Sequence, residues 1–399
     1  MTDVLKIGAV FGLIVLLLRL RWNLGLVMLL GAVLLGAVYL IGPVQQARVI
    51  LASSMDRVTI DVVAALALIM VLENILRKKG VLKRMMGSLV NVARDRRIAM
   101  AVLPGVIGLL PSAGGAVFSA PMVQEAAADA DITPERKAFI NYWFRHIWEY
   151  ISPLYPGFLL AVAVTGTPIN KFLLSQLPLP LTVVGVGALL GFRGMTAQQE
   201  RTKSDLKEIK TLFITLLPIT VSLILVVFFK MRLAIAMAGI VAAMLLLYRY
   251  SLREMLATLQ ESLSLNVLLM VVGIMVFKGM LEASGAIEAL PLFFQRSGLP
   301  VGAVLFALPF LVGLLTGLTV GFVGATFPII TAMFGGHPGL GAVTFAFASG
   351  FAGIMLSPTH LCLLLTVRYF NADLAGVYQL LYLPVFLVLA VGLLLFWIT

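Results

Sequence analysis

The chain is 399 residues long, 61% hydrophobic and only 12% charged, with a mean hydropathy of +1.07. That is too apolar for a soluble globular protein and marks an integral membrane protein. Lys and Arg number 29 against 18 Asp and Glu, a net charge of +11, but the basic residues flank apolar runs, where membrane topology accounts for them, so nucleic acid is excluded as a partner.

In chain order, runs long enough to span lie at roughly 4 to 18, 24 to 42 and 59 to 76. The first carries Lys6 and is followed by Arg19 and Arg21 rather than by a small-residue cleavage site, so it reads as a retained helix and not a signal peptide. A charged arm, Arg77 to Arg97, leads into an apolar region, 98 to 165, broken by Pro, Gly and polar residues. A span at 174 to 192 closes the first half. After a second polar stretch, Arg193 to Lys210, the order recurs: spans at 211 to 229, 233 to 248 and 264 to 281, an irregular region at 303 to 369, and a final span at 377 to 398. Neither polar stretch is long enough to bury a core. The single cysteine, Cys362, excludes an internal disulfide and offers no metal cluster.

The recurrence has a fixed offset of 205 residues. Leu103-Pro104 and Gly108-Leu109-Leu110 return as Leu308-Pro309 and Gly313-Leu314-Leu315. The only two Ser-Pro dipeptides, Ser152-Pro153 and Ser357-Pro358, keep the same spacing, as do Gly80 with Gly285 and Gly187 with Gly392. The halves are therefore 1–194 and 195–399, two copies of one membrane unit, a design typical of transporters.

Residues 98 to 128 and 303 to 333 read either as kinked spanning helices or as re-entrant hairpins, and basic residues decide between them. With hairpins, one side collects 20 of 27 basic residues: Arg19, Arg21, the eight from Arg77 to Arg97, Arg136, Lys137, the five from Arg193 to Lys210, Arg249, Arg253 and Arg368. The other side keeps 7: Lys6, Arg48, Arg57, Lys171, Lys230, Arg232 and Arg296. With crossings the division is 15 to 12, which is no bias under the positive-inside rule. Hairpins give five crossings per half, an odd number, so the halves are inverted. The expectation is ten transmembrane helices plus two hairpins, all-α, with the basic side cytoplasmic and both termini extracytoplasmic.

A hairpin tip inside a membrane leaves backbone groups without helical partners, tolerable where protein or a watery cavity meets them. The first tip reads Pro111-Ser112-Ala113-Gly114-Gly115, followed by Ser119 and Pro121. The second reads Thr316-Gly317-Leu318-Thr319, followed by Gly321, Gly324, Thr326 and Pro328. Small residues admit close approach of a ligand, and hydroxyls donate or accept. Ser152-Pro153 and Ser357-Pro358 each fall mid-span, in helices starting near Ala138 and Ala342, where proline kinks or unwinds the helix. A broken helix exposes an N-terminus attractive to anions and carbonyls that can hold Na⁺; a packing kink is the plain alternative.

Ionisable residues within spans mark function unless paired. Glu73 with Arg77, and Lys278 with Glu282, read as pairs fixing helix ends. Asn141, Arg145, Glu149 and Ser152 instead follow one helical stripe toward the first break, and their counterparts Gly350 and Ile354 carry no charge. Arg145 and Glu149 are either an ion pair or, functionally, an anion anchor beside a protonatable group, with His146 a second such group. His360, beside Pro358 and Thr359 and equivalent to Tyr155, is a further proton candidate. His337, in a Gly-rich loop, reads as exposed.

At these residues the chain resembles the ion transporter superfamily, which includes divalent-anion/sodium symporters, gluconate and lactate permeases and metalloid efflux pumps. It looks closest to an uncharacterised prokaryotic membrane family within it. Ser112 to Pro121 keeps the serine, small-residue run and proline of the symporter tip, with Ala113 and Gly114 where those have Asn and Thr. The resemblance implies a homodimeric elevator carrier of a prokaryotic cytoplasmic membrane. Its scaffold would be 3–77 and 211–282, and its moving parts the hairpin, broken helix and last helix of 98–192 and 303–398.

The expected function is secondary active transport of a small anion, first an organic carboxylate, with Na⁺ or H⁺ as coupling ion and no other cofactor or metal. Ser112, Gly114, Gly115, Ser152, Thr316, Thr319, Ser357 and Thr359 would line the site. A cation/proton antiporter or a metalloid or oxyanion efflux carrier is the alternative. A passive channel and an intramembrane enzyme using Ser152, His146 and Glu149 stand behind it: serine followed by proline is a poor nucleophile position, and an enzyme has no use for an upside-down duplicate.

Overall fold

The computed structural model describes all residues except 1, 93–94, 110–114, 129, 196–205, 286–289, 292 and 294–297. Among the described residues the regular elements are all helices. Five are long and apolar enough to cross a membrane: Arg57–Lys78, Ile169–Gly191, Leu206–Val227, Leu265–Ala283 and Leu374–Ile398. Shorter apolar helices include Leu24–Val38 and Leu233–Leu247. Leu30, Phe213, Phe228, Leu246, Phe386 and Leu394 are exposed large hydrophobic residues, an outer surface suited to acyl chains rather than water.

Local chemistry sets the helix ends. Asn23 and Asp56 each accept a backbone N–H at the start of Leu24–Val38 and Arg57–Lys78, and Arg77 and Lys78 sit at the negative end of the latter. Proline opens Pro43–Met55, Pro134–Arg145 and Pro156–Thr165, where its missing N–H costs nothing. The run 24 to 42 is not one span. Its helix stops at Val38, Leu40 takes a positive φ of 57°, and Pro43 starts a separate helix with no buried residue. The charged arm likewise holds a helix, Val81–Val92.

Packing between the halves is reciprocal. Leu24–Val38 packs on Leu265–Ala283, and Leu233–Leu247 packs on Arg57–Lys78; at the repeat offset these are one contact with the halves exchanged. The same holds for Thr319–Met333 against Pro156–Thr165 and Gly115–Ala126 against Leu361–Phe370. Exchanged contacts are what two copies related by a two-fold axis produce. The repeat glycines obey it too. A Cβ on Gly108 would run into the Arg145 carbonyl, and one on Gly313 into the equivalent Gly350 carbonyl. Gly187 lies against Trp143 and Gly392 against Ala348, again equivalent positions. Gly80 and Gly285 both have left-handed backbone, at φ 65° and 75°.

Both irregular regions contain consecutive helices that pack on each other: Arg96–Ile107 with Gly115–Ala126, and Val301–Thr316 with Thr319–Met333. Limbs of 12 to 16 residues reach about 18–24 Å, short of a hydrocarbon core of about 30 Å. Gly317, at φ 63°, makes the second turn. Polar contacts then tie distant segments. Lys78 meets Glu261 at 2.5 Å, Asn74 donates to Ser262 at 2.8 Å, and Lys79 lies 4.3 Å from the Tyr250 ring centre. Asn23 donates to Asn266, Glu135 accepts from the Asp373 N–H, and Arg232 pairs with Asp61 at 2.7 Å.

Candidate functional site

Both Ser-Pro helices are broken, but differently. The second runs Leu340–Met355, opens over five residues and resumes as Leu361–Phe370, close to the position expected. The first starts at Pro134, earlier than Ala138, and its α-helix stops at Arg145, well before Ser152. A 3₁₀ turn, Ile147–Tyr150, and an irregular stretch follow before Pro156 restarts the helix. His146 explains the early stop. Its Nδ1 lies 2.6 Å from the Tyr142 carbonyl, the acceptor its own N–H would have used, and that N–H turns to Trp143 instead. Pro153 removes a donor further on and disfavours helical backbone at Ser152. The expected stripe therefore ends at Arg145; Glu149 sits on the 3₁₀ turn and reaches elsewhere.

Glu149 reaches the other half of the chain. Its Oε2 accepts from the Thr319 hydroxyl at 3.0 Å, and its Oε1 lies 3.6 Å from His146 Nε2. Thr319 also covers Gly157, just past the first break, where a Cβ would strike it. Gly317 lies against His360 and Ser357 of the second break. The second tip thus touches both breaks. Ser357 donates to the Leu314 carbonyl at 2.6 Å and sits 2.9 Å from the Thr359 hydroxyl, which donates to Leu315. Thr316 donates to the Val312 carbonyl.

The two breaks meet through rings. His146 and His360 stand edge to face with centres 5.0 Å apart, and Tyr142 packs against both. The Tyr142 hydroxyl donates to the Met355 carbonyl at 3.2 Å, one of the carbonyls left over where the second helix ends. Tyr155, equivalent to His360, donates to the Gly108 carbonyl at 2.5 Å. Arg145 is buried beside Cys362. The single cysteine, which by count alone offered no metal cluster, thus stands with His146 and His360, one ligand atom of each within 4.8 Å of the others.

Other expected residues lie apart. Ser119 and Thr326 are buried, and their hydroxyls donate to carbonyls of their own helices. Ser152 is buried and accepts weakly from the Leu154 N–H at 3.3 Å; Pro153 and Pro358 act through the backbone breaks. Gly115 begins the return limb of the first hairpin, while Ser112, Ala113 and Gly114 lie outside the described residues. Lys278 meets Glu282 at 3.8 Å as expected. Glu73 was read as a structural partner of Arg77, but it also lines a cavity of about 590 Å³ with Asn74, Lys83, Phe118, Pro156 and Glu261. That cavity runs between Arg57–Lys78, the arm helix and the first hairpin, ending where the helix resumes after the first break. Composition gave no signal for it, because its walls come from both halves.

The chain matches, over residues 4–399, the model of a family described as a protein of unknown function, DUF401, and it belongs to that family. No curated protein matches it.

Proposed function

We propose that the protein is a secondary active transporter of a small anion, an organic carboxylate first among the candidates, driven by H⁺ or Na⁺ through an elevator-type movement. The observation that carries the reading is the second hairpin tip bridging both breaks, Thr319 on Glu149 and Gly157, Gly317 on Ser357 and His360. Hydroxyls, a buried guanidinium and a carboxylate thus gather where two helices are interrupted, the arrangement by which membrane carriers hold an ion without water.

Topology supports the reading. Lys78 with Glu261, Asn23 with Asn266, Glu135 with Asp373 and Arg232 with Asp61 are partners that would face opposite leaflets if both irregular regions crossed the bilayer. With two re-entrant hairpins each pair shares one side, as the distribution of basic residues requires. The proposed carrier has ten crossings, inverted halves, a cytoplasmic basic side and external termini, in an inner membrane and as a dimer.

In this mechanism Arg145 supplies positive charge for the anion, Ser357, Thr359 and Thr319 orient it, and Glu149 takes up the coupling ion. A carboxylate hydrogen-bonded to the opposite half changes its charge and its grip on Thr319 when a cation or proton arrives, which gives the two-state element alternating access needs. The cavity beside Glu73 is the inward approach. The test is uptake into proteoliposomes from a panel of carboxylates, oxyanions and sugar acids, with H⁺ and Na⁺ gradients imposed separately. Saturable uptake that follows one gradient is expected; gradient-independent uptake or single-channel currents would refute it.

A further inference from the structure

We infer that His146, His360 and Cys362 form a binding site for a borderline-soft divalent cation of the Zn²⁺ class. One ligand atom from each lies within 4.8 Å of the others. Tetrahedral Zn–N and Zn–S bonds put ligand atoms about 3.4–3.8 Å apart, so closure needs a side-chain shift of roughly 1 Å. Two imidazoles and a thiol are the donor set this class of ion selects over Na⁺, Mg²⁺ or Ca²⁺.

A second observation is independent of the clustering. Both histidines are almost fully buried, and each has a ring nitrogen with no hydrogen-bond partner. His146 Nδ1 is bound to Tyr142 O and its Nε2 is unpartnered; His360 Nδ1 is unpartnered as well. Buried ring nitrogens normally find partners. A carbonyl that fixes one nitrogen and presents the other as a lone pair is the outer-shell support metal-binding histidines have. The Tyr142 carbonyl lies at the end of the first interrupted helix, so that break itself orients His146. Glu149, 3.6 Å from His146 Nε2, supplies negative charge against both the ion and the Arg145 guanidinium beside Cys362. The site joins the two halves and stands whether or not the transport reading does.

Because Cys362 is the only cysteine, thiol chemistry reports on this site alone. The full-length protein, stripped with chelator in detergent, is titrated with Co²⁺ and separately alkylated with iodoacetamide with and without Zn²⁺. One Co²⁺ per chain is expected, with a near-ultraviolet sulfur-to-cobalt band displaced by Zn²⁺ and missing from Cys362→Ser. Zn²⁺ should slow alkylation of the unmodified protein at least about tenfold, a readout needing no variant, and His146→Gln with His360→Gln should lose that protection. No thiolate band, unchanged alkylation, or protection surviving the histidine replacements would overturn the site.

Discussion

The first and second breaks hold equivalent places in one repeated unit yet differ in kind. The second opens over five residues, closes on its own hydroxyls through Ser357, Thr359 and Leu314, and has one ionisable group, His360. The first is unwound from His146 to Tyr155 and carries Arg145, His146 and Glu149 where the second half has Gly350, Phe351 and Ile354. The compact break fixes geometry while the open one supplies charge, and the second tip joins them. The two halves thus share a frame, and the charged side chains of the breaks are concentrated in the first.

The shared frame makes the largest prediction. Gly108→Ala and Gly313→Ala each drive a methyl into a backbone carbonyl of the broken helix. Each should lower thermal stability by about 1–3 kcal/mol or more, since overpacked backbone contacts have little room to relax. Similar losses would confirm equivalent packing; a harmless Gly108→Ala would break the comparison.

Next comes the charge that only the first break holds. Glu149→Gln removes a charged acceptor from Thr319, an interaction of about 1.5–3 kcal/mol, so gradient-driven flux should fall roughly tenfold to a hundredfold. Residual flux should no longer follow the driving gradient, whereas Thr319→Ser should retain coupling. Full coupling in Glu149→Gln would move the ion site elsewhere.

The hydroxyls sharpen the contrast. Ser357→Ala loses a short buried bond to Leu314 and should cost about 1–2 kcal/mol in unfolding measurements, while Ser152→Ala, losing one long contact, should cost less than about 1 kcal/mol. Equal costs would mean the breaks are built alike.

The spacing of Ser-Pro pairs and glycines made the matching halves and the two helix breaks legible, because proline and glycine act through the local backbone. Where the first helix stops was not legible. It depends on His146 capturing the Tyr142 carbonyl, a side-chain competition that no period records. Nor was the gathering of Glu149 with Thr319, or of His146 with His360 and Cys362, since these join the two halves and arise from packing between them. Glu73 looked like half of a helix-end pair until the arm helix and first hairpin enclosed it.

The smallest effect lies outside the membrane. Asp95 caps the first hairpin limb, whereas Pro300 precedes the second. The hydrogen bond from the Arg97 side chain holds the Asp95 carboxyl below its ordinary range. A lowered folded-state pKa gives stability that is present above the ordinary carboxylate value and fades as pH falls through the lowered one. Asp95→Asn should therefore flatten the acid limb of the stability profile slightly, by less than about 1 kcal/mol; an unchanged profile would remove the pair from the account.

The central claim, two hairpins dipping in from opposite leaflets, is tested most directly by labelling single cysteines in a Cys362→Ser background with a membrane-impermeant maleimide on right-side-out and inverted vesicles. Lys83→Cys and Asp131→Cys flank the first hairpin, and Leu299→Cys and His337→Cys the second, all at exposed positions. The account predicts that the first two label only from the cytoplasmic side and the last two only from outside. Labelling of one hairpin's two flanks from opposite sides would contradict it.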